Sequence, residues 1–228
     1  MNKEIFYCSL DQFDSSNAVI NTWAESRKDV TIKSDIKNPE LPLVSFDRFK
    51  GSFLRIRNKT MLHVMPGNDD LLFGNHTLSV NVFLNISTIA ESGKNNFILF
   101  EMKVDEFLIT FYLVKNSEKS SIAEIYAGCR MEEDHEETAD ISIDQKTGIE
   151  ISLDYWYNFN LNINKKGVLE LSVLYVNSVL NSGTVSDNLA GAFHLDLNEA
   201  TDIENINFRK ILALIFGSEN NKGEFNVS

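Results

Sequence analysis

The nearest approach to a catalytic signature in this chain is "FEMKVDEF", in which Glu101, Lys103 and Asp105 alternate. Alternate residues of a strand share a face, so the two carboxylates fall on one side of the chain. Paired carboxylates are the machinery of glycoside hydrolysis, standing about 5 Å apart in retaining enzymes. Here a lysine separates the acids, and no third carboxylate follows at the right step. Charge around a strand end accounts for the pattern, and we expect no carboxylate pair with raised pKa inside a cleft. His63, His76, His135 and His194 are scattered, and neither Cys8 nor Cys129 sits in a nucleophile or metal motif.

Two acidic stretches offer oxygen ligands. "RMEEDHEETAD", Arg130 to Asp140, would need Glu132, Asp134 and His135 to converge from one loop. That spacing fits no metal site, and a solvated loop is expected. In "DLNEATDIE", Asp196, Asn198 and Asp202 fall at steps loosely like those of calcium loops, without the glycine that sharpens such loops. These three are the candidate metal ligands, for a structural calcium ion.

A third pattern is built of amides. In "LDYWYNFNLNINKKGVLELSVLYVN", Asn158, Asn160, Asn162 and Asn164 alternate with Phe159, Leu161 and Ile163. "NKKG" supplies a turn, after which Leu169, Leu171 and Val173 resume the apolar alternation, so a hairpin with one buried face is predicted. "TLSVNVFLNIS" alternates likewise, with Leu78, Val80, Val82, Leu84 and Ile86 inward and Ser79, Asn81, Phe83 and Asn85 outward. If these strands share a sheet, its outer face combines Asn81, Phe83, Asn85, Asn158, Asn160 and Asn162, followed by Glu170 and Ser172. Amides donate and accept, and an aromatic plane is an apolar platform; both suit sugars. These six are the candidate ligand-binding residues. The plain alternative is that an antiparallel sheet with one wet face shows polar residues somewhere, and Phe83 stands nearly alone as an aromatic.

The elements that must position these residues are strands. "EIFYCSL", "GSFLRIR", "NFILFEM", "EFLITFYLV", "IAEIYAGC", "ADISID" and "ILALIFG" join the two stretches above, separated by turn-rich pieces such as "MPGNDD", "ESGKNN" and "SENNKG". "DNLAGAFHLDLNEA" can hold one short helix, though "FHLDL" alternates too. Many short strands with regular turn signals predict an all-β antiparallel sandwich or barrel. With 228 residues, 43% hydrophobic, the chain can bury a sizeable core, and with no repeat, linker or composition break it reads as one domain, 1–228.

A net charge of −12 argues against a nucleic-acid backbone or an anionic membrane as partner. No apolar stretch reaches bilayer length, and "MNKEIFYCSLDQF" lacks the long apolar region and cleavage site of a secretory signal. Free thiols are therefore expected at Cys8 and Cys129.

Taken in order, the segments resemble laminin-G-like domains of the concanavalin A-like lectin and glucanase superfamily. "IFYCSLDQFD" is similar to their opening strand, and "GSFLRIRNKTML" to their "F-x-G-x-x-x-V-x-V" segment. "FGNHTLSVNVFLNIS" resembles "F-T-I-S-F-W-V", the asparagine hairpin resembles "W-H-H-V-A-V-T-x-D-G…L-x-L-Y-V-N-G", and "ILALIFGSENNKGEFN" resembles "L-x-I-G…F-x-G". Departures are Tyr157–Asn158 in place of the double histidine, and a strand before "YVN" about two residues longer, which a bulge would accommodate. The resemblance implies a concanavalin A-like jelly roll in which the first strand lies beside a closing strand. The family's closing pattern, "D-E-V-R-I-Y", does not follow "GEFNVS". "EIFYCSL" is therefore expected to be completed by residues downstream of 228, by another chain, or by "KILALIF" doubling back. Laminarinase-type enzymes of this fold carry E-x-D-x-x-E on one strand, which this sequence lacks.

The sequence thus points to a non-catalytic binding or structural module of an assembly, with other protein chains as partners. A bacteriophage tail, fibre or capsid-decoration protein fits a chain that reaches the outside without a signal. A carbohydrate-binding lectin module of a larger surface protein is the alternative, and a glycoside hydrolase a weaker one. A virion or a cell surface is the expected location.

Overall fold

In the computed structural model the described residues are 13–14, 18–20, 30–34, 44–47, 51–56, 61–66, 71–72, 77–89, 97–116, 118–131, 142–176, 188–201, 203–218, 221 and 223–227. Between 13 and 72, and at 78, 142, 188 and 226, the description covers backbone alone. "EIFYCSL", Cys8 and residues 132–141 lie outside it.

The strands are, in chain order, β1 (Phe13–Asp14), β2 (Ala18–Ile20), β3 (Val30–Ser34), β4 (Val44–Asp47), β5 (Gly51–Ile56), β6 (Met61–Pro66), β7 (Leu71–Leu72) and β8 (Leu78–Ile89). They continue as β9 (Phe97–Val104), β10 (Phe107–Lys115), β11 (Ile122–Met131), β12 (Ser142–Ser152), β13 (Trp156–Ile163), β14 (Val168–Tyr175) and β15 (Asn188–Asp196). The one described helix, α1 (Leu197–Thr201), precedes β16 (Lys210–Gly217) and β17 (Gly223–Val227). Among the described residues no helix is long and apolar enough to cross a membrane.

These strands form an all-β antiparallel two-sheet sandwich. The larger sheet runs β1-β2-β3-β6-β16-β9-β10-β11-β12 with β7 also paired to β16; the smaller, seven-stranded sheet runs β15-β14-β13-β8-β17-β5-β4. Between them lies one core. Phe159, Leu161, Ile163, Leu171, Val82 and Leu84, all expected inside from their alternation, are buried, and Val80 packs against them half-buried. Phe100 stacks on Phe111 at 4.9 Å between ring centres, and Phe107 meets Phe208 edge-on at 5.5 Å.

The asparagine hairpin forms as its text predicts, with β13 and β14 in unbroken register from Tyr157↔Tyr175 to Ile163↔Leu169. Asn164 Oδ1 accepts the N–H groups of Lys166 and Val168 at 2.8 and 3.1 Å, and Gly167 closes the turn at φ 80°. That left-handed conformation is why glycine ends "NKKG". The bulge expected on the "YVN" strand is found on its neighbour instead: between Val173↔Gly191 and Leu174↔Leu189 the extra residue is Ala190 of β15. "FHLD" ends strand β15 and "LNEAT" forms the helix, so both readings of that segment hold, one after the other.

"KILALIF" lies in β16, an interior strand between β6 and β9 among the described residues; the strand it was offered to complete, "EIFYCSL", lies outside them. "GEFNV" is itself a strand, set between β8 and β5. It enters the sheet at Gly223, φ 150°, where an added Cβ would collide with the Thr88 carbonyl. Before it, Asn221 substitutes for a strand residue. Its Oδ1 accepts Ile98 N–H at 2.8 Å, and its Nδ2 donates to Ile98 O at 2.7 Å.

Three measurements check the packing. Leu161→Ala should cost about 2–5 kcal/mol in denaturant unfolding, because the void opens between two rigid sheets. Burial pushes the Cys129 thiol from 9.0 up to about 12. The folded state then holds a proton that the unfolded state loses, so stability should fall as pH rises from about 9 toward 12. At pH 8 the native thiol should resist aromatic disulfide reagents until the chain unfolds; brisk native-state labelling at Cys129 would contradict its burial.

Candidate functional site: the outer face of the seven-stranded sheet

Pairing of β8 with β13 brings the amides together. Asn160 stands opposite Asn81, Asn158 opposite Phe83, Asn162 opposite Ser79 and Trp156 opposite Asn85. All six candidate ligand-binding residues therefore share one face of one sheet, because directly paired residues of antiparallel strands project to the same side. Asn81 Nδ2 donates to Asn160 Oδ1 at 2.6 Å, and Ser79 Oγ donates to Asn162 Oδ1 at 2.6 Å. Asn85, only 8% exposed, accepts Ser87 Oγ at 3.3 Å.

Pairing with β14 and β15 extends these contacts into three parallel rows. The first is Ser79–Asn162–Glu170–His194, the second Asn81–Asn160–Ser172–Ala192, and the third Phe83–Asn158–Leu174–Leu189. The third row is apolar apart from Asn158, and Leu189 in it is 61% exposed. Trp156, half-buried, adds a second aromatic beside this row, diagonal to Phe83. Phe83 therefore does not stand alone. The signal for Trp156 was the same alternation carried one step back from Asn158. The signal for the Leu174–Leu189 end was hidden by the bulge, which shifts β15 by one residue.

The face thus joins an apolar band to an uncharged amide band, with a second polar band beyond it that carries Glu170 and His194. After their cross-strand bonds, Asn160 and Asn162 have an oxygen engaged and keep the Nδ2 group as a directional donor. Asn158 Oδ1 is shielded from solvent and has no hydrogen-bond partner.

The other candidates are separate from this face. Asp196 caps α1: its Oδ1 accepts Asn198 N–H at 3.0 Å and Asn198 Nδ2 at 2.9 Å, which with further N–H contacts holds its carboxyl below the usual range. Asn198 also donates to Lys166 O at 2.7 Å and accepts Ile206 N–H at 2.8 Å, tying the hairpin turn to the segment after the helix. Asp202 lies outside the described residues. Among the described residues no cluster of three or more His, Cys, Asp or Glu stands where it can hold a metal ion.

Glu101 accepts Thr110 Oγ1 at 3.2 Å on the outer face of the larger sheet. Asp105 has left β9 for the turn to β10, at φ 49°, and its carboxylate accepts the N–H groups of Arg209 and Lys210 at 2.7 and 3.2 Å. That carboxylate is engaged in joining two segments of the fold. On the same sheet Tyr112 donates to Asp144 and stacks on Tyr126, 5.4 Å away. Burial, with the Asp144 bond, pushes the Tyr112 phenol well above its usual range.

No family model matches the chain. No curated protein matches it. Among solved structures the fold is similar to an HCR/D point mutant, at TM-score 0.50 and 10% identity, covering 94% of this chain and 45% of that one. It is also similar to the botulinum neurotoxin serotype D binding domain, at TM-score 0.49 and 10% identity over 93% of this chain and 44% of that one. An alginate lyase from Pseudomonas aeruginosa aligns at TM-score 0.48 and 10% identity, covering 82% of this chain and 83% of that one. The chain spans less than half the length of the first two. At these identities the likeness is one of fold.

Asn198→Ala should cost about 1–3 kcal/mol by denaturant unfolding, with or without added calcium, because it leaves Lys166 O and Ile206 N–H unpartnered. A loss that appears only in the presence of calcium would make Asn198 a metal ligand instead.

Proposed function

We propose that the chain is a non-catalytic binding module, and that the outer face of the seven-stranded sheet takes a neutral glycan. The observation that carries this reading is the arrangement of the rows: Phe83, Leu174 and Leu189, with Trp156, border the amide rows of Asn81, Asn160 and Asn162. A sugar ring has an apolar face and a rim of hydroxyls, and such a surface meets both at once. Uncharged amides and a net charge of −12 favour neutral ligands over phosphorylated or sulfated ones. The kinship with laminin-G-like domains that the sequence suggests belongs to the same reading. In a virion component, or in a larger surface protein, the face would anchor an assembly to a glycan-coated surface.

The non-catalytic half rests on Asp105, whose carboxylate is engaged by two backbone N–H groups, and on the lysine between it and Glu101. Release of reducing ends from a β-glucan or a galactan, abolished by Glu101→Gln or Asp105→Asn, would overturn it.

A glycan array read with labelled protein should show neutral oligosaccharides above background, and Trp156→Ala should weaken the strongest of them roughly ten-fold or more, a stacked aromatic contributing about 0.5–1.5 kcal/mol beyond its area burial. An array blank for neutral glycans, or binding indifferent to Trp156→Ala, would remove this face as the site.

A further inference from the structure

Asn158 is the anomaly of the outer face. Its neighbours on β13, Asn160 and Asn162, each accept a cross-strand hydrogen bond through Oδ1. Asn158 Oδ1 has none, although it is shielded from water. Phe83 and Leu174 flank it in register, and Trp156 lies one alternation away on the same side. A carbonyl oxygen enclosed without a donor costs stability, and each such group in a folded protein calls for a reason. The free fold supplies none here. A leucine has the same branching and heavy-atom count as asparagine, though it is bulkier, and its apolar tip would suit a setting of Phe, Leu and Trp better.

We propose that Asn158 is the specificity-determining residue of this face, its Oδ1 accepting a hydrogen bond from a hydroxyl of the bound neutral glycan. The inference rests on the glycan reading of the face given above. The hydroxyl reaches the oxygen by displacing one of the flanking side chains, and Asn160 and Asn162, their oxygens already engaged, donate through Nδ2 to ligand oxygens. Along β13 the face then reads acceptor, donor, donor, at steps of about 7 Å, two residues of extended chain. A site that must satisfy an enclosed acceptor rejects analogues lacking the donor far more strongly than a site built only of apolar contacts. A deoxy or O-methyl group at the matching carbon should therefore be discriminated against.

The test uses Asn158→Leu in the full chain and two readouts. The first needs no ligand: thermal unfolding, in which the variant should melt higher than the wild type because the orphaned acceptor is gone. The second is titration with cellotetraose, maltotetraose and N-acetyllactosamine, followed by Trp156 fluorescence in a Trp23→Phe background. Asn158→Leu should weaken the best of these at least ten-fold, and deoxy analogues that bind the wild type poorly should bind the variant no worse than the parent sugar. A lower melting temperature would show that the amide serves the fold, and equal affinity would show that it does not touch the ligand; either overturns the inference while leaving the glycan reading standing. If none of the neutral sugars binds the wild type, the glycan reading falls and this inference with it.

Discussion

The pairing of β8 with β13 is the constraint on which the rest depends. Val80 faces Leu161 and Val82 faces Phe159 on the core side, while Asn81 faces Asn160 and Ser79 faces Asn162 outside. Because side chains alternate with a period of two, a slip of one residue would drive the asparagines into the core and the aliphatics into water. Enclosing several amides without partners is far more costly than any local gain, so the register has one solution. The 2.6 Å bonds from Asn81 and Ser79 across to β13 reinforce that solution from the outside. The same strand carries β17 on its other edge, and the Ile86 carbonyl accepts Asp154 N–H where the chain returns from β12 into β13. The register of β8 therefore sets both the core and the position of every amide on the outer face.

The two outer faces differ in chemistry. On the larger sheet several of the described polar groups are matched within the protein. Tyr112 is bonded to Asp144, Lys146 pairs with Glu124 at 2.7 Å, and Glu101 takes the Thr110 hydroxyl. On the smaller sheet the middle row, Asn81–Asn160–Ser172–Ala192, is uncharged, and an apolar band with an exposed leucine runs beside it. A surface of that second kind can offer oriented donors and an apolar plane without desolvating a charge, which is what recognition of a neutral polyol requires.

How much of this was legible in the sequence follows from the range of each interaction. The hairpin of Asn158 to Val173 was readable because strict alternation and a turn ending in Gly167 are both local signals. The face shared with Asn81 was readable because two alternating strands with matched amides fit only one way round a core. Asp105 was not: it looks like a strand-end acid beside Glu101, and its work is done on Arg209 and Lys210, some hundred residues away. Asn221 was missed for the same reason, since nothing local marks an amide that stands in for a strand against Ile98. "GEFNV" was passed over because five residues after a glycine-rich turn carry little alternation, and it becomes a strand by fitting between two others. The bulge opposite Val173 and Leu174 hid the apolar end of the outer face, because it breaks the period that sequence reading relies on.

The central claim, that the outer face of the seven-stranded sheet is the contact surface, is most directly tested by nuclear magnetic resonance of the side-chain amides. Protein labelled with nitrogen-15 at asparagine, titrated with a neutral tetrasaccharide such as cellotetraose, should show shifts of the Asn81, Asn158, Asn160 and Asn162 Nδ2 resonances. Those of Asn164, Asn198 and Asn221, engaged in the turn, the helix cap and the β9 edge, should stay still. Shifts confined to this second group, with the four outer-face amides unmoved at saturating sugar, would contradict the account.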